Sequence, residues 1–361
     1  MGIYKLFATL TKKCPAAFQP VKDLNIYSGK SFAIDIGCMM HAYAYHAKEG
    51  DSSYLRNFVS HANNLKNKNI RPVYVFDGAA PEAKFNENQR RRQKQVDLKR
   101  KIDTETEALN MAYKQATRIK RAKQEPSTTA TTTTENIEES EEPISFISNL
   151  FTPSKVLLFD SPKIKLVNDP AIMYNMSEWE IENMLKQKKE QIIQLEKCKR
   201  KVKDDHFAQL KILFDENNIE YIQAQGEGEK ECVRLCLSGE THIVVSNDGD
   251  CLAMGAPILL RNILTQNITE IKMSSILEIL GWSLSTFTDY CIMCGSDFND
   301  NIPGLGAETA FKFMHKYKSI ENFMNSVDII KYDSAHMKKY NLPVKDWNYK
   351  SAQREFMFDQ K

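Results

Sequence analysis

A chain of 361 residues, 42% hydrophobic and 10% aromatic, carries the apolar surface of one large or two ordinary globular domains. No run approaches 18 apolar residues, which leaves no candidate membrane span, and the opening MGIYKLFATLTKKCP lacks the long apolar region of a secretory signal. Net charge is only +2, so affinity for a polyanion has to come from where the charges lie.

In chain order, Ser31 to Asp35 (SFAID) and Arg71 to Gly78 (RPVYVFDG) are short apolar runs, each ending in an acid, and both read as buried strands. Between them Leu55, Phe58, Val59, Ala62 and Leu65 recur at helical spacing, predicting a helix within Ile36–Lys66 that crosses back over the sheet. The β-α-β unit makes the strands parallel and brings Asp35 and Asp77 to one rim, where open α/β sheets bind ligands. Pro81 to Lys123 is helical and charged; from Lys84 to Lys123 there are 13 Lys or Arg against five acids, with Arg90, Arg91, Arg92 and Lys94 clustered. Such a cluster suits a phosphate-binding face and equally a solvated helix surface.

Glu125 to Pro143 is Thr-rich and then acidic, the composition of a disordered segment. Phe146 to Met176 reads either as a small docked insert or as a recognition segment, and Ser177 to Lys201 returns to a Lys-rich helix. An amphipathic helix follows over Asp204–Asn217, then a strand over 219–224, the acidic GEGEKE, a helix over Glu229–Leu237 and a buried strand over His242–Ser246. Extended pieces at 257–262 and 268–273 precede helices over Ser274–Leu280, Ser285–Cys294, Glu308–Tyr317 and Ser319–Asn325. The eight cysteines are scattered, which indicates free thiols in a reducing compartment; Cys291 and Cys294 sit in an apolar helical pattern and read as buried rather than zinc-binding.

Gln225 to Cys251 carries two i, i+2 acid pairs, Glu227 with Glu229 and Asp248 with Asp250. Alone, the stretch fits a solvated acidic loop better than a site for a hard divalent cation, and the rest of the chain reverses that preference. With Asp35, Asp77 and Asp297 there are seven acids at or near element ends. Seven converging carboxylates would repel one another strongly unless divalent cations join them, and two such ions suit hydrolysis of a phosphodiester.

Six ordered motifs then resemble those of the flap endonuclease and XPG family of structure-specific 5′ nucleases. They are MGI at the N-terminus, AID ending at Asp35, VYVFDG ending at Gly78, the GEGE stretch, NDGDCLAMG from Asn247 and GSDFNDNIPGLG ending at Gly306. The likeness covers about residues 1–123 and 200–325, with a weaker echo at LPVKDW. It implies an α/β fold, a PIN-like core with a mostly parallel sheet flanked by helices, a helical arch and a helix-two-turn-helix. The implied divisions are an N-terminal nuclease region with the arch (1–123), an insertion (124–199), an internal nuclease region (200–273) and a helical region (274–361). The resemblance places Asp35, Asp77, Glu227 and Glu229 toward one Mg²⁺ and Asp248, Asp250 and Asp297 toward a second, with Mn²⁺ able to substitute. It also places Lys84 and Arg91 on the scissile phosphate, with Arg90 and Arg92 beside them on DNA. Ile302, Gly304 and Gly306 fall where the uncleaved duplex is gripped and a K⁺ ion is held, and Gly2 falls near the active site.

Where flap endonucleases stack a Tyr on DNA this chain has His41, and DIGCMMH follows the exonuclease-one branch; His41 either stacks on a base or packs. Asp77 and Glu227 are 150 positions apart, more than in flap endonucleases, and the excess maps to about 124–199. The end SAQREFMFDQK carries no clamp-binding peptide, so recruitment by a sliding clamp is not expected. The resulting expectation is a monomeric, intracellular, Mg²⁺-dependent 5′ nuclease acting on branched or nicked DNA, nuclear by analogy or at a viral replication site. The rival readings are a 5′ exonuclease working on nicked or gapped duplex or on RNA, and a catalytically idle junction-binding scaffold.

Overall fold

The computed structural model describes residues 2–47, 51–124, 169–199, 202 and 204–358. The Thr-rich segment, and Phe146–Met176 up to residue 168, lie outside the described residues. Two compact units emerge, one from residues 1–95 and 200–361 and one from 96–199.

Helix α1 (Leu6–Lys13) leads to edge strand β1 (Phe18–Val21), and β2 (Ser31–Asp35) is joined to β3 (Arg71–Phe76) through α2 (Ile36–His46) and α3 (Arg56–Asn67). Helix α4 (Phe85–Gln124) starts in the first unit and runs into the second, which also holds α5 (Pro170–Asn175) and α6 (Glu178–Lys199). The first unit resumes with α7 (Asp204–Glu216), β4 (Tyr221–Gln223), α8 (Gly228–Leu237), β5 (Ile243–Val245) and α9 (Asp250–Ala253). A hairpin of β6 (Ile258–Arg261) and β7 (Ile268–Lys272) precedes α10 (Met273–Leu280), α11 (Leu284–Cys294), α12 (Ala307–Tyr317) and α13 (Ile320–Met324). The last helices are α14 (Ile330–Tyr340) and α15 (Tyr349–Phe356).

The seven strands form one sheet in the order β1-β7-β6-β5-β2-β3-β4, parallel from β6 to β4 and antiparallel at β7 and β1. From β2 the chain builds outward to β3 and β4, then returns to lay β5 on the other side of β2. The sheet therefore changes direction between β2 and β5, and ligands of open α/β sheets lodge beyond the carboxyl ends at such a point. Alternation along β2 feeds two cores: Phe32 and Ile34 join Phe58, Tyr74 and Phe214 against α3 and α7, whereas Ala33 joins Val233, Leu252 and Tyr290. Burying each such aromatic contributes about 1.5–3 kcal/mol, which fixes the register because a one-residue slip would expose the whole set.

The mostly parallel sheet flanked by helices agrees with the sequence reading. The helix expected within Ile36–Lys66 is two helices, and Asp51 marks the restart by accepting Ser53 N–H at 2.7 Å ahead of a short 3₁₀ turn. All eight cysteines are free, with Cys291 and Cys294 buried in α11. Among the described residues no helix is long and apolar enough to cross a membrane.

In the second unit, α4 presents Leu98, Ile102, Leu109, Ala112, Ala116 and Ile119 to Ile181, Leu185, Ile192 and Leu195 of α6. Steps of four and three in both helices are the seam of a coiled coil. The α4 row is filled at 105 by Glu105 and the α6 row at 188 by Lys188, whose Nζ lies 2.6 Å from Glu105 Oε2 with the lysine 7% exposed. Helix α6 begins with a capping box: Ser177 Oγ accepts Glu180 N–H, and Glu180 Oε2 accepts Ser177 N–H at 2.8 Å.

Candidate metal centre

Parallel strands put the acids together. Asp35 ends β2 and caps α2, its Oδ1 accepting Gly37 N–H at 2.9 Å and its Oδ2 accepting the Ser246 hydroxyl at 2.8 Å. Asp77 follows β3, and its Oδ1 accepts Gly228 N–H at 2.7 Å. A Cβ on Gly228 would sit 2.7 Å from that same oxygen, so only glycine lets the start of α8 approach Asp77 this closely. Glu227 stands at the N-terminal boundary of α8 and Glu229 lies in its first turn. Asp248 and Asp250, 4% and 2% exposed, follow β5, with Asp248 Oδ1 accepting Asp250 N–H at 3.0 Å. Asp297 follows α11 and completes the seven.

Two cations lie among these acids. Lys84, 7% exposed, ion-pairs with Glu227, lies 3.9 Å from Asp297 and rests over the Phe298 ring. Burial opposes its charge, but Glu227, Asp250 and Glu229 outweigh that and hold the ammonium above its ordinary range. Arg91 pairs with Asp297 and, at 3.1 Å, with Glu87, which also holds Arg90 at 2.6 Å. Arg92 is exposed, with no ion pair among the described residues. His41, open to solvent on α2, has its pKa lowered by partial burial and by Arg91, against the pull of Asp77.

Asp35, Glu227, Glu229 and Asp250 resist ionisation. Burial and then repulsion from Asp77 and Asp248 push Asp35 up to about 6, although hydrogen bonds from Cys38 and Ser246 oppose the rise. Burial, then Asp35, Asp248 and Asp77, raise Glu229 well above the carboxylate range, and burial with Asp248 does the same to Asp250. Asp250 Oδ1 is buried without a hydrogen-bond partner. Repelling acids of this kind, one with an orphaned oxygen, fit hard divalent cations. Among the described residues no three such side chains are already closed around one point. Mg²⁺ does not require that, since it is held by one or two carboxylates with waters completing the octahedron.

Gly2, with φ +73°, lies against the same acids: a Cβ there would fall 1.9 Å from Asp248 Oδ1. Away from the acids, Ile302 O accepts Leu305 N–H at 3.1 Å across Pro303 and Gly304, the latter with φ +83°, in the manner of a type II turn. Gly306 caps α12, its carbonyl accepting Thr309 and Ala310 N–H at 2.9 Å, and the Ile302 side chain is buried.

Sequence reasoning passed over three residues here. Glu87, which holds the arch arginines, was legible as an i, i+4 partner of Arg91. Arg261 ends β6 and stacks its guanidinium 3.4 Å from the Phe7 ring centre with Asp248 as its favourable charge; being last in a buried strand was its signal. Cys38 contacts Ser246 at 3.4 Å, a pairing across 208 positions that no local pattern reveals.

Models of the XPG N-terminal domain and the XPG I-region match residues 1–98 and 218–297. The first span holds Asp35, Asp77, Lys84 and Arg91, and the second holds Glu227, Glu229, Asp248, Asp250 and Asp297. Flap endonuclease 1 of Mus musculus is 24% identical over 371 residues, covering 99% of this chain and 75% of that protein. Its counterpart in Enterocytozoon bieneusi (strain H348) is 26% identical over 342 residues, covering 91% and 74%. The solved catalytic core of Rad2 in complex with DNA substrate shares the fold, with a TM-score of 0.59 at 14% identity over 99% of this chain and 86% of that one. Human GEN1 in complex with Holliday junction DNA gives 0.53 at 16%, over 99% and 67%. Both family regions matched in order, relatives spanning nearly the whole chain and a shared core fold support the flap endonuclease and XPG family for this chain.

Proposed function

We propose that the chain is a structure-specific 5′ nuclease that hydrolyses phosphodiesters of branched or nicked DNA. The observation that carries this reading is the set of seven acids at the carboxyl rim of the sheet, with Lys84 and Arg91 paired to them. Asp35, Asp77, Glu227 and Glu229 would hold one Mg²⁺, and Asp248, Asp250 and Asp297 a second. Such ions, when bound, supply a nucleophilic water and stabilise the leaving oxygen. Lys84 and Arg91, placed beside these acids by their pairs with Glu227 and Asp297, would neutralise the scissile phosphate, the lysine as a point charge and the arginine as a fork. Arg90 and Arg92 extend that cationic face along α4, and His41 on α2 offers a ring to a base.

In the same reading Mn²⁺ would substitute for Mg²⁺, and the turn from Ile302 to Gly306 would meet the uncleaved duplex, its backbone carbonyls able to hold a K⁺ ion. The enzyme works as a monomer where DNA is replicated or repaired, in a nucleus or at a viral replication site. The divisions 1–123, 124–199, 200–273 and 274–361 are its functional regions. The test is the double substitution Asp248→Ala with Asp250→Ala: cleavage of a 5′-flap substrate in Mg²⁺ is expected to vanish while binding of the DNA persists. Survival of cleavage would remove the metal-site assignment.

A further inference from the structure

Ser246, 4% exposed, comes immediately after β5. Ile34 pairs with Val245 across the β2–β5 ladder, so Ser246 is delivered opposite Asp35. Its Oγ lies 2.8 Å from Asp35 Oδ2, 3.0 Å from the Asp248 backbone nitrogen and 3.4 Å from Cys38 Sγ. A hydroxyl has one proton and two lone pairs. The ionised Asp35 carboxylate only accepts, so the hydroxyl proton goes to it. The Asp248 N–H can only donate, which takes one lone pair, and the Cys38 sulfur, whose thiol bonds Asp35, lies beside the hydroxyl. Ser246 is therefore committed to Asp35 as a donor and to Asp248 as an acceptor. The line continues, because Asp248 Oδ1 accepts Asp250 N–H at 3.0 Å. One buried chain of hydrogen bonds thus runs from the acid on β2 to the acid pair after β5, across the point where the sheet changes direction.

We propose that Ser246 is a positioning residue that sets the spacing between Asp35 and the Asp248–Asp250 pair, and with it the spacing at which two divalent cations are held. The proposal rests on the nuclease reading above. Removing the hydroxyl leaves Asp248 N–H buried without a partner and breaks the direct link between Asp35 and the Asp248 backbone, leaving Asp35 to Gly37 N–H and Cys38. The fold itself does not need this link: Phe32, Ile34, Val244 and Val245 hold the two strands together without it. Partners that orient a metal ligand govern metal affinity by about 10- to 100-fold.

The experiment is calorimetric titration of the full chain with Ca²⁺, together with the Mg²⁺ dependence of single-turnover cleavage of a 5′-flap DNA. Ser246→Ala is expected to weaken Ca²⁺ binding about tenfold and to shift the Mg²⁺ midpoint upward by a similar factor, with DNA affinity within about twofold of wild type. Ser246→Thr, which keeps the hydroxyl, is expected to restore Ca²⁺ affinity to within about threefold. Ser246→Cys, a weak donor and acceptor, is expected to fall between, and it decides the matter if the alanine variant does not fold. Wild-type Ca²⁺ affinity in both the alanine and cysteine variants, or in the cysteine variant alone when alanine is lost, overturns the positioning role. A wild-type protein that neither binds Ca²⁺ nor cleaves in Mg²⁺ overturns the nuclease reading instead.

Discussion

Replacing Asp35 by Asn should stabilise the metal-free protein at pH 8 while removing its activity. Asp35 is 2% exposed, and burial together with Asp77 and Asp248 pushes its carboxyl from 3.8 up to about 6. The folded value lies above the unfolded one, so the folded chain binds the proton more tightly and ionisation costs stability. That cost is absent below pH 3.8, grows as pH rises, and is fully present above about 6. A rise of about two pKa units corresponds to about 3 kcal/mol. Asn keeps an oxygen for Gly37 N–H and offers an N–H to Ser246 Oγ, so most of the cost is recovered as a gain. At about 2 °C per kcal/mol for a unit of this size, the melting temperature in EDTA should rise by about 6 °C at pH 8 and by almost nothing at pH 4. The assay is thermal melting of both proteins across that range, repeated in saturating Mg²⁺, where the advantage should shrink or reverse because the wild-type carboxylate then has a cation to bind. A gain independent of pH, or an Asn variant less stable than wild type in EDTA at pH 8, would refute the reasoning.

Lys84→Ala and Arg91→Ala should each slow single-turnover cleavage by about 10²–10³ with a much smaller loss of DNA affinity, as expected of charges that act on the developing transition state. Equal losses in rate and binding would reduce both to electrostatic attraction. Gly228→Ala drives a methyl onto Asp77 Oδ1 at 2.7 Å, and should raise the Mg²⁺ requirement for cleavage with little change in DNA binding. An unaltered Mg²⁺ curve would mean that Asp77 shifts freely. In the second unit, Lys188→Ala leaves Glu105 in the helical seam with a partner lost and should cost about 1–3 kcal/mol, read as faster hydrogen exchange in α4 and α6. Combining Glu105→Leu with Lys188→Met should return protection to wild-type levels or above it, because the pair pays a desolvation cost that apolar side chains do not.

The strands that carry acids were legible because their signal is short-range. SFAID, RPVYVFDG and HIVVS are apolar runs with an acid at or just past the end, and Asp35, Asp77 and Asp248 lie at one rim as parallel pairing requires. The helices from Met273 to Met324 were legible through their apolar spacing, and the structure adds Ser283 and Ser319 as the caps of α11 and α13. Helix α1 and strand β1 were not. Phe18–Val21 is a four-residue edge containing Pro20, and its partner Ile268–Lys272 lies about 250 residues away, so tertiary pairing alone makes it a strand. The seam between α4 and α6 was hidden because Glu105 and Lys188 interrupt the apolar repeat, and each looks like surface until the other is placed beside it. The ion pairs of Lys84 and Arg91 with Glu227 and Asp297 were likewise unreadable, since they join residues more than 140 positions apart.

The borders of the sheet have a consequence for how the molecule behaves at high concentration. At one border β4 is three residues long, too short to template a second strand. At the other, β1 is four residues long and Pro20, paired with Thr269, has no amide proton to offer. Strand addition from another copy needs a continuous row of free donors and acceptors, and neither border provides one. The apolar central strands, which would aggregate readily if exposed, are therefore shielded by two borders that cannot recruit, and a crowded solution of the folded protein is protected from sheet-to-sheet fusion.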